Sequence, residues 1–85
     1  EWGELRIYPN PASKMVVVSV NEVMSSPMKL RFISATGTTA LSMDIEGTTM
    51  IDLSEHGLAP GVYTITAWYE GKSYRTRLVY IPERH

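Results

Sequence analysis

The chain has 85 residues, enough for one domain near the lower end of the sizes that fold without a covalent or metal staple. It contains no cysteine, which excludes disulfides, thiolate catalysis and cysteine-ligated zinc and leaves burial of its 44% hydrophobic residues to supply stability. Eight Lys and Arg against nine Asp and Glu leave a net charge of −1, a poor basis for gripping nucleic acid through its phosphates. No run of about 18 apolar residues is present to cross a membrane as a helix.

In chain order, Glu1-Trp2-Gly3-Glu4 reads as the end of a linker from an upstream domain, and residues 5–85 as one all-β unit. The first predicted strand covers residues 5–8 and stops at Tyr8-Pro9-Asn10-Pro11. Each proline fixes its own φ, extends the residue before it and cannot donate to a ladder. The Tyr8 ring is expected to fold onto the adjoining sheet. Residues 15–20 form a β-branched run, expected to be central in its sheet or buried on both sides.

The strand at 28–34 alternates most plainly, with Met28, Leu30 and Phe32 on one face and Lys29 and Arg31 on the other. Strands follow at 40–45, where Leu41, Met43 and Ile45 share a face, and at 49–53. A single turn at Ser54 to Gly57 is the nearest thing to a helix. The strand at 62–69 directs Tyr63, Ile65, Ala67 and Tyr69 one way and Thr64, Thr66 and Trp68 the other. In the last, 73–81, Tyr74, Leu78 and Tyr80 oppose Arg75, Arg77 and Val79. Turn residues at Pro9-Asn10-Pro11, Ser25-Ser26-Pro27, Thr36-Gly37, Glu46-Gly47, Ala59-Pro60-Gly61 and Glu70-Gly71 separate these runs. Seven short strands at this spacing predict an antiparallel, immunoglobulin-like β-sandwich. Its expected core includes Ile7, Val16, Val18, Leu30, Phe32, Leu41, Met43, Leu53, Ile65, Ala67 and Leu78.

Chemistry is sparse. Asp52, Ser54 and His56 contain the residue types of a hydrolytic triad, but no nucleophile elbow or glycine-backed oxyanion turn accompanies them. Asp52, Glu55 and His56 lack the spacing of a closed metal site. Thr36-Gly37-Thr38-Thr39 lacks the Gly-Lys-Ser/Thr ending of a phosphate loop. No catalytic residue, metal or cofactor is expected.

Pro60-Gly61-Val62-Tyr63 is a turn feeding a strand, with proline presetting φ and glycine admitting a positive one. Lys72, Arg75 and Arg77 lie in the last predicted element without an acid between them. Charges on a terminal strand discourage edge-to-edge pairing, and that alone accounts for them. Three passages together carry more. Leu5-Arg6-Ile7-Tyr8-Pro9-Asn10-Pro11-Ala12 comes first. Ile51-Asp52-Leu53-Ser54 follows, running through Leu58 to Gly61-Val62-Tyr63, and Lys72 to Ile81 closes the set.

In this order the passages resemble the C-terminal sorting domain (type A) of cargo proteins exported by the type IX, or Por, secretion system of Bacteroidetes. Phe32-Ile33-Ser34-Ala35-Thr36-Gly37 is similar to that family's middle hairpin. The resemblance implies a non-catalytic signal that directs an upstream cargo domain through the periplasm to the outer membrane, the cell surface or the medium. It implies the outer-membrane shuttle and the sortase as partners, with neither nucleic acid nor direct membrane insertion. It also implies recognition through Tyr8, Pro9, Asn10, Pro11, Gly61, Val62, Tyr63, Arg75, Arg77, Leu78 and Val79. Pro82-Glu83-Arg84-His85 departs from the family habit of ending soon after the last strand. Two other readings compete. One is a carbohydrate-binding or adhesion module using Trp68 with Tyr69 or Tyr74. The other is an uncleaved domain of sorting type retained in a component of the secretion apparatus. An oligonucleotide-binding barrel would need more charge and more surface aromatics.

Overall fold

The structure, a computed structural model, describes residues 5–20 and 26–82. The linker expected at 1–4 and residues 83–85 of the expected 82–85 tail lie outside them. Seven strands follow in order: β1 (Leu5–Tyr8), β2 (Met15–Val20), β3 (Met28–Ser34), β4 (Thr39–Ile45), β5 (Thr49–Asp52), β6 (Gly61–Tyr69) and β7 (Lys72–Tyr80). Every strand pairing is antiparallel. Three strands make one sheet in the order β1-β2-β5, and four make the other in the order β4-β3-β6-β7. The molecule is an all-β sandwich of immunoglobulin type.

Alternation explains the core. From the smaller sheet come Leu5, Val16, Val18 and Ile51; from the larger come Met28, Leu30, Phe32, Ile45, Tyr63, Ile65, Ala67, Tyr69, Leu78 and Tyr80, all buried. Leu53 and Leu58 close the β5–β6 corner from within. One inner row of the larger sheet runs Leu41, Phe32, Ile65 and Thr76, and the next runs Met43, Leu30, Ala67 and Tyr74.

Ile7, Leu41 and Met43 pack against the core but are only half-buried, a correction to the expected list. Their strands β1 and β4 are sheet edges, where one flank has no neighbouring strand to cover it. β2 is central in its sheet, yet Met15, Val17 and Ser19 on its outer side are half-exposed, so it is buried on one face only. Tyr8 is corrected as well. Leu5 and Ile7 take the inner face of β1, so Tyr8 points outward and remains 49% exposed.

Turn chemistry sets the registers. Tyr69 pairs with Lys72 across Glu70-Gly71, whose φ values of 49° and 79° are the two positive angles that a type I′ hairpin requires. A bulge opposite Phe32 and Ile33 lengthens β4 by one residue and starts it at Thr39.

Candidate functional site

The segment after β1 leaves the smaller sheet and reaches the last strand of the larger one. Both of its prolines follow cis peptide bonds, at Tyr8-Pro9 and at Asn10-Pro11. Neither proline carries an N–H, so the Asn10 side chain takes the place of a backbone pair. Its Nδ2 donates to the Arg77 carbonyl and its Oδ1 accepts the Val79 N–H, both at 3.0 Å. Ala12 then continues in parallel with Tyr80. Its N–H donates to the Val79 carbonyl and its carbonyl accepts the Ile81 N–H, each at 2.8 Å.

The other edge of β7 pairs with the beginning of β6: Gly61 opposite Tyr80, Val62 opposite Val79 and Tyr63 opposite Leu78. Parts of three passages distant in the chain therefore lie side by side. Pro9, Asn10 and Pro11 flank β7 on one edge, and Gly61 to Tyr63 flank it on the other. Arg75 stands one step further along β7, opposite Thr66.

These residues divide by accessibility. Leu78 and Tyr63 face the core. Tyr63 donates its hydroxyl to the Ala59 carbonyl four residues upstream. That is the tyrosine corner of immunoglobulin-like sandwiches, in which a tyrosine early in the sixth strand ties back the preceding loop. Its sequence signal is Tyr63 two residues after the Pro60-Gly61 turn; alternation alone shows only the inward ring, not the hydroxyl's partner. On the outer face Val62 is 45% exposed, Arg75 and Arg77 are exposed, and Val79 is half-buried. Among the described residues neither arginine meets a carboxylate.

The Asp52 loop is a turn in its own right. The Asp52 carboxylate accepts the Ser54 hydroxyl and the N–H groups of Ser54 (2.9 Å) and Glu55 (3.3 Å), and Lys14 stands 3.9 Å away. These contacts, the Ser54 hydroxyl foremost, hold its carboxyl below the ordinary value against the opposing pull of partial burial. Asp52 thus orients Ser54, while His56 is exposed and outside the network. Among the described residues no three His, Asp or Glu side chains converge as metal ligands.

At the far end of the larger sheet, Trp68 is 39% exposed and the Arg31 guanidinium lies 5.2 Å from its ring centroid. An open depression of about 470 Å³ adjoins it, lined by Pro27, Lys29, Asp44, Tyr69 and Glu70. Tyr69 is buried and Tyr74 half-buried, so a row of exposed aromatics is missing there.

The family model described as the secretion system C-terminal sorting domain matches residues 6–81. The chain belongs to that family. It is a type IX sorting signal, a class that marks a protein for export to the cell surface or beyond by acting with the secretion machinery. The match begins inside β1 and ends at Ile81, the residue whose N–H makes the last bond of the ladder with Ala12. The sorting domain is thus the whole sandwich, not its final strand alone. No curated protein matches the chain.

Proposed function

We infer that this sorting domain is read as a folded unit by the outer-membrane shuttle, after its cargo has crossed the periplasm, through the outward face of β7 and the segments beside it. One observation carries the reading: Asn10 and Ala12 are hydrogen-bonded to Arg77, Val79 and Ile81, so the composite exists only in the folded state. Tyr8, Pro9, Asn10, Pro11, Gly61, Val62, Arg75 and Arg77 are its exposed members and Val79 is half-buried. Asn10, through its bonds to Arg77 and Val79, and the buried Tyr63 and Leu78 hold them in register. The sortase then cuts in the linker before β1, and the upstream cargo is joined to anionic lipopolysaccharide or released. No catalytic step is assigned to the domain itself.

The test is a fusion of residues 1–85 to the end of a signal-peptide-bearing reporter. A type IX-competent host should deliver it to the surface, and a translocon-deficient strain should hold it in the periplasm. Equal delivery by both strains would remove the reading. In the competent host, the double variant Arg75→Glu, Arg77→Glu should melt like the wild type yet accumulate in the periplasm, because exposed substitutions change stability by about 0.5 kcal/mol or less. Sequencing the amino terminus of the domain recovered after export distinguishes cleavage from retention.

Trp68 favours a second reading, a carbohydrate-binding module. In a Trp2→Phe variant, which leaves Trp68 as the sole indole, fluorescence should change on titration with polysaccharide if sugars stack there.

A further inference from the structure

Thr66 is out of place for a polar residue on an outer face. It alternates outward from β6 between Thr64 and Trp68, yet it is only 7% exposed, and its hydroxyl has no hydrogen-bond partner. A buried hydroxyl without a partner is costly, so it marks either a defect or a group awaiting a ligand. Its surroundings favour the ligand. Arg31 on β3 and Arg75 on β7 are the residues paired directly with Thr66 on either side. Arg77 follows on β7, opposite Thr64.

The face is positively charged. Lys29, Arg31, Arg75 and Arg77 stand on it against two carboxylates near its Trp68 end, Asp44, which lies 4.0 Å from Lys29, and Glu70. Stacking on Trp68 restrains the Arg31 guanidinium.

We propose that the row Arg31–Thr66–Arg75 is a carboxylate-binding site that docks an acidic, extended polypeptide segment of the domain's partner. Strands stand about 4.8 Å apart, so the two arginine stems rise roughly 9.6 Å from each other, within reach of one carboxylate held above Thr66. The hydroxyl oxygen is covered in the free chain, so the flanking side chains part as the carboxylate enters. The hydroxyl then gains the acceptor it lacks, and the guanidiniums supply charge-assisted bonds. Arg75 and Arg77 are separated along β7 by two residues, about 6.7 Å. An extended chain repeats its side chains at that same interval, so acids at alternate positions meet both arginines in step. Val62 and Val79, beyond Arg77, give such a segment an apolar end to rest on. The proposal names the partner chemistry of the surface inferred above and rests on that reading.

The probe is an acetylated, amidated peptide of alternating Glu and Thr, titrated into the isotope-labelled 85-residue chain and followed by amide chemical shifts. Shifts should centre on Arg31, Thr66 and Arg75 and weaken as salt rises. Thr66→Val and Arg75→Gln should each reduce affinity roughly tenfold, whereas Arg6→Gln, on the other sheet, should leave it unchanged. Equal weakening by Arg6→Gln, or none by Thr66→Val, overturns the site. Tighter binding of a sulfated oligosaccharide of equal charge at these residues overturns the polypeptide assignment. A wild-type fusion that reaches the surface while the labelled chain ignores the peptide defeats this site and leaves the sorting reading intact.

Discussion

Asn10 holds Val79 across 69 positions of chain: its Oδ1 accepts the Val79 N–H at 3.0 Å while its Nδ2 donates to the carbonyl of Arg77. The carboxamide supplies one donor and one acceptor, which is what an edge strand leaves open over two residues. Ala12 adds the next two bonds in the same direction. The opening passage of the chain is therefore a cap on the closing strand, and it sets where Arg77 stands.

Replacing Asn10 by Ala should destabilise the domain by about 1–2 kcal/mol, since two modest bonds are lost at the surface. Asp is the sharper substitution. It retains the acceptor for Val79 but turns a second oxygen toward the Arg77 carbonyl, so it should be no better than Ala. Urea melts measure both, and amide exchange at Val79 should quicken in the Ala variant. Unchanged exchange would mean that the cap does not protect β7.

Tyr63→Phe keeps the buried ring and removes only the hydroxyl that ties Ala59. The expected cost is about 1 kcal/mol, with the fold retained. A melt indistinguishable from wild type would deny the corner its role.

Phe32 is fully buried at the centre of the inner row with Ile65 and Leu41. Truncation to Ala should cost about 3–5 kcal/mol. Against a total of about 5–15 kcal/mol for a domain, that leaves a marginal fold, which circular dichroism would report as an early, shallow melt.

Thr66→Val should act in the opposite direction and stabilise the chain by about 1 kcal/mol, because a methyl replaces a hydroxyl buried without a partner. A lower melting temperature would show the hydroxyl to be paired in solution. Paired with the loss of peptide binding, a stabilised variant would show that the unpaired group is retained for binding at the expense of stability.

Asp52 makes stability depend on pH. Its carboxyl is held below the ordinary value chiefly by the Ser54 hydroxyl. The folded form thus binds that proton less tightly than the unfolded chain, and the contribution is complete above the ordinary carboxylate value. It fades as pH falls through that value and on through the lower folded one. Asp52→Asn should flatten this acid limb of the stability profile. An unchanged limb would assign it to other carboxylates.

The period-two alternation and the turn residues were legible without coordinates, because both are local. All seven strands lie within one residue of the boundaries that pattern implied, and Phe32, Leu30, Val16, Val18, Ile65 and Leu78 are buried as expected. Proline, glycine and β-branched residues act on their own φ and χ1 angles, so a few neighbours suffice to read them. The resemblance carried by Tyr8 to Pro11, Gly61 to Tyr63 and the last strand likewise needed only residue order, and the family match bears it out.

Alternation says which face a residue takes, and nothing about which strand lies beside it. Ile7, Leu41 and Met43 kept their inward faces but lost full burial because β1 and β4 became edges. Thr66 reads as an exposed polar residue until Arg31 and Arg75 are set on either side of it. The Asn10 clamp joins groups 67 and 69 positions apart, a separation that no local pattern encodes. Sequence by itself determined the strands, their faces and the family, since these follow from short-range sterics and order. Tertiary structure alone decided the division into sheets, the edges, the cap on β7 and the arginine row over Thr66, since each depends on which strands the shared core brings together.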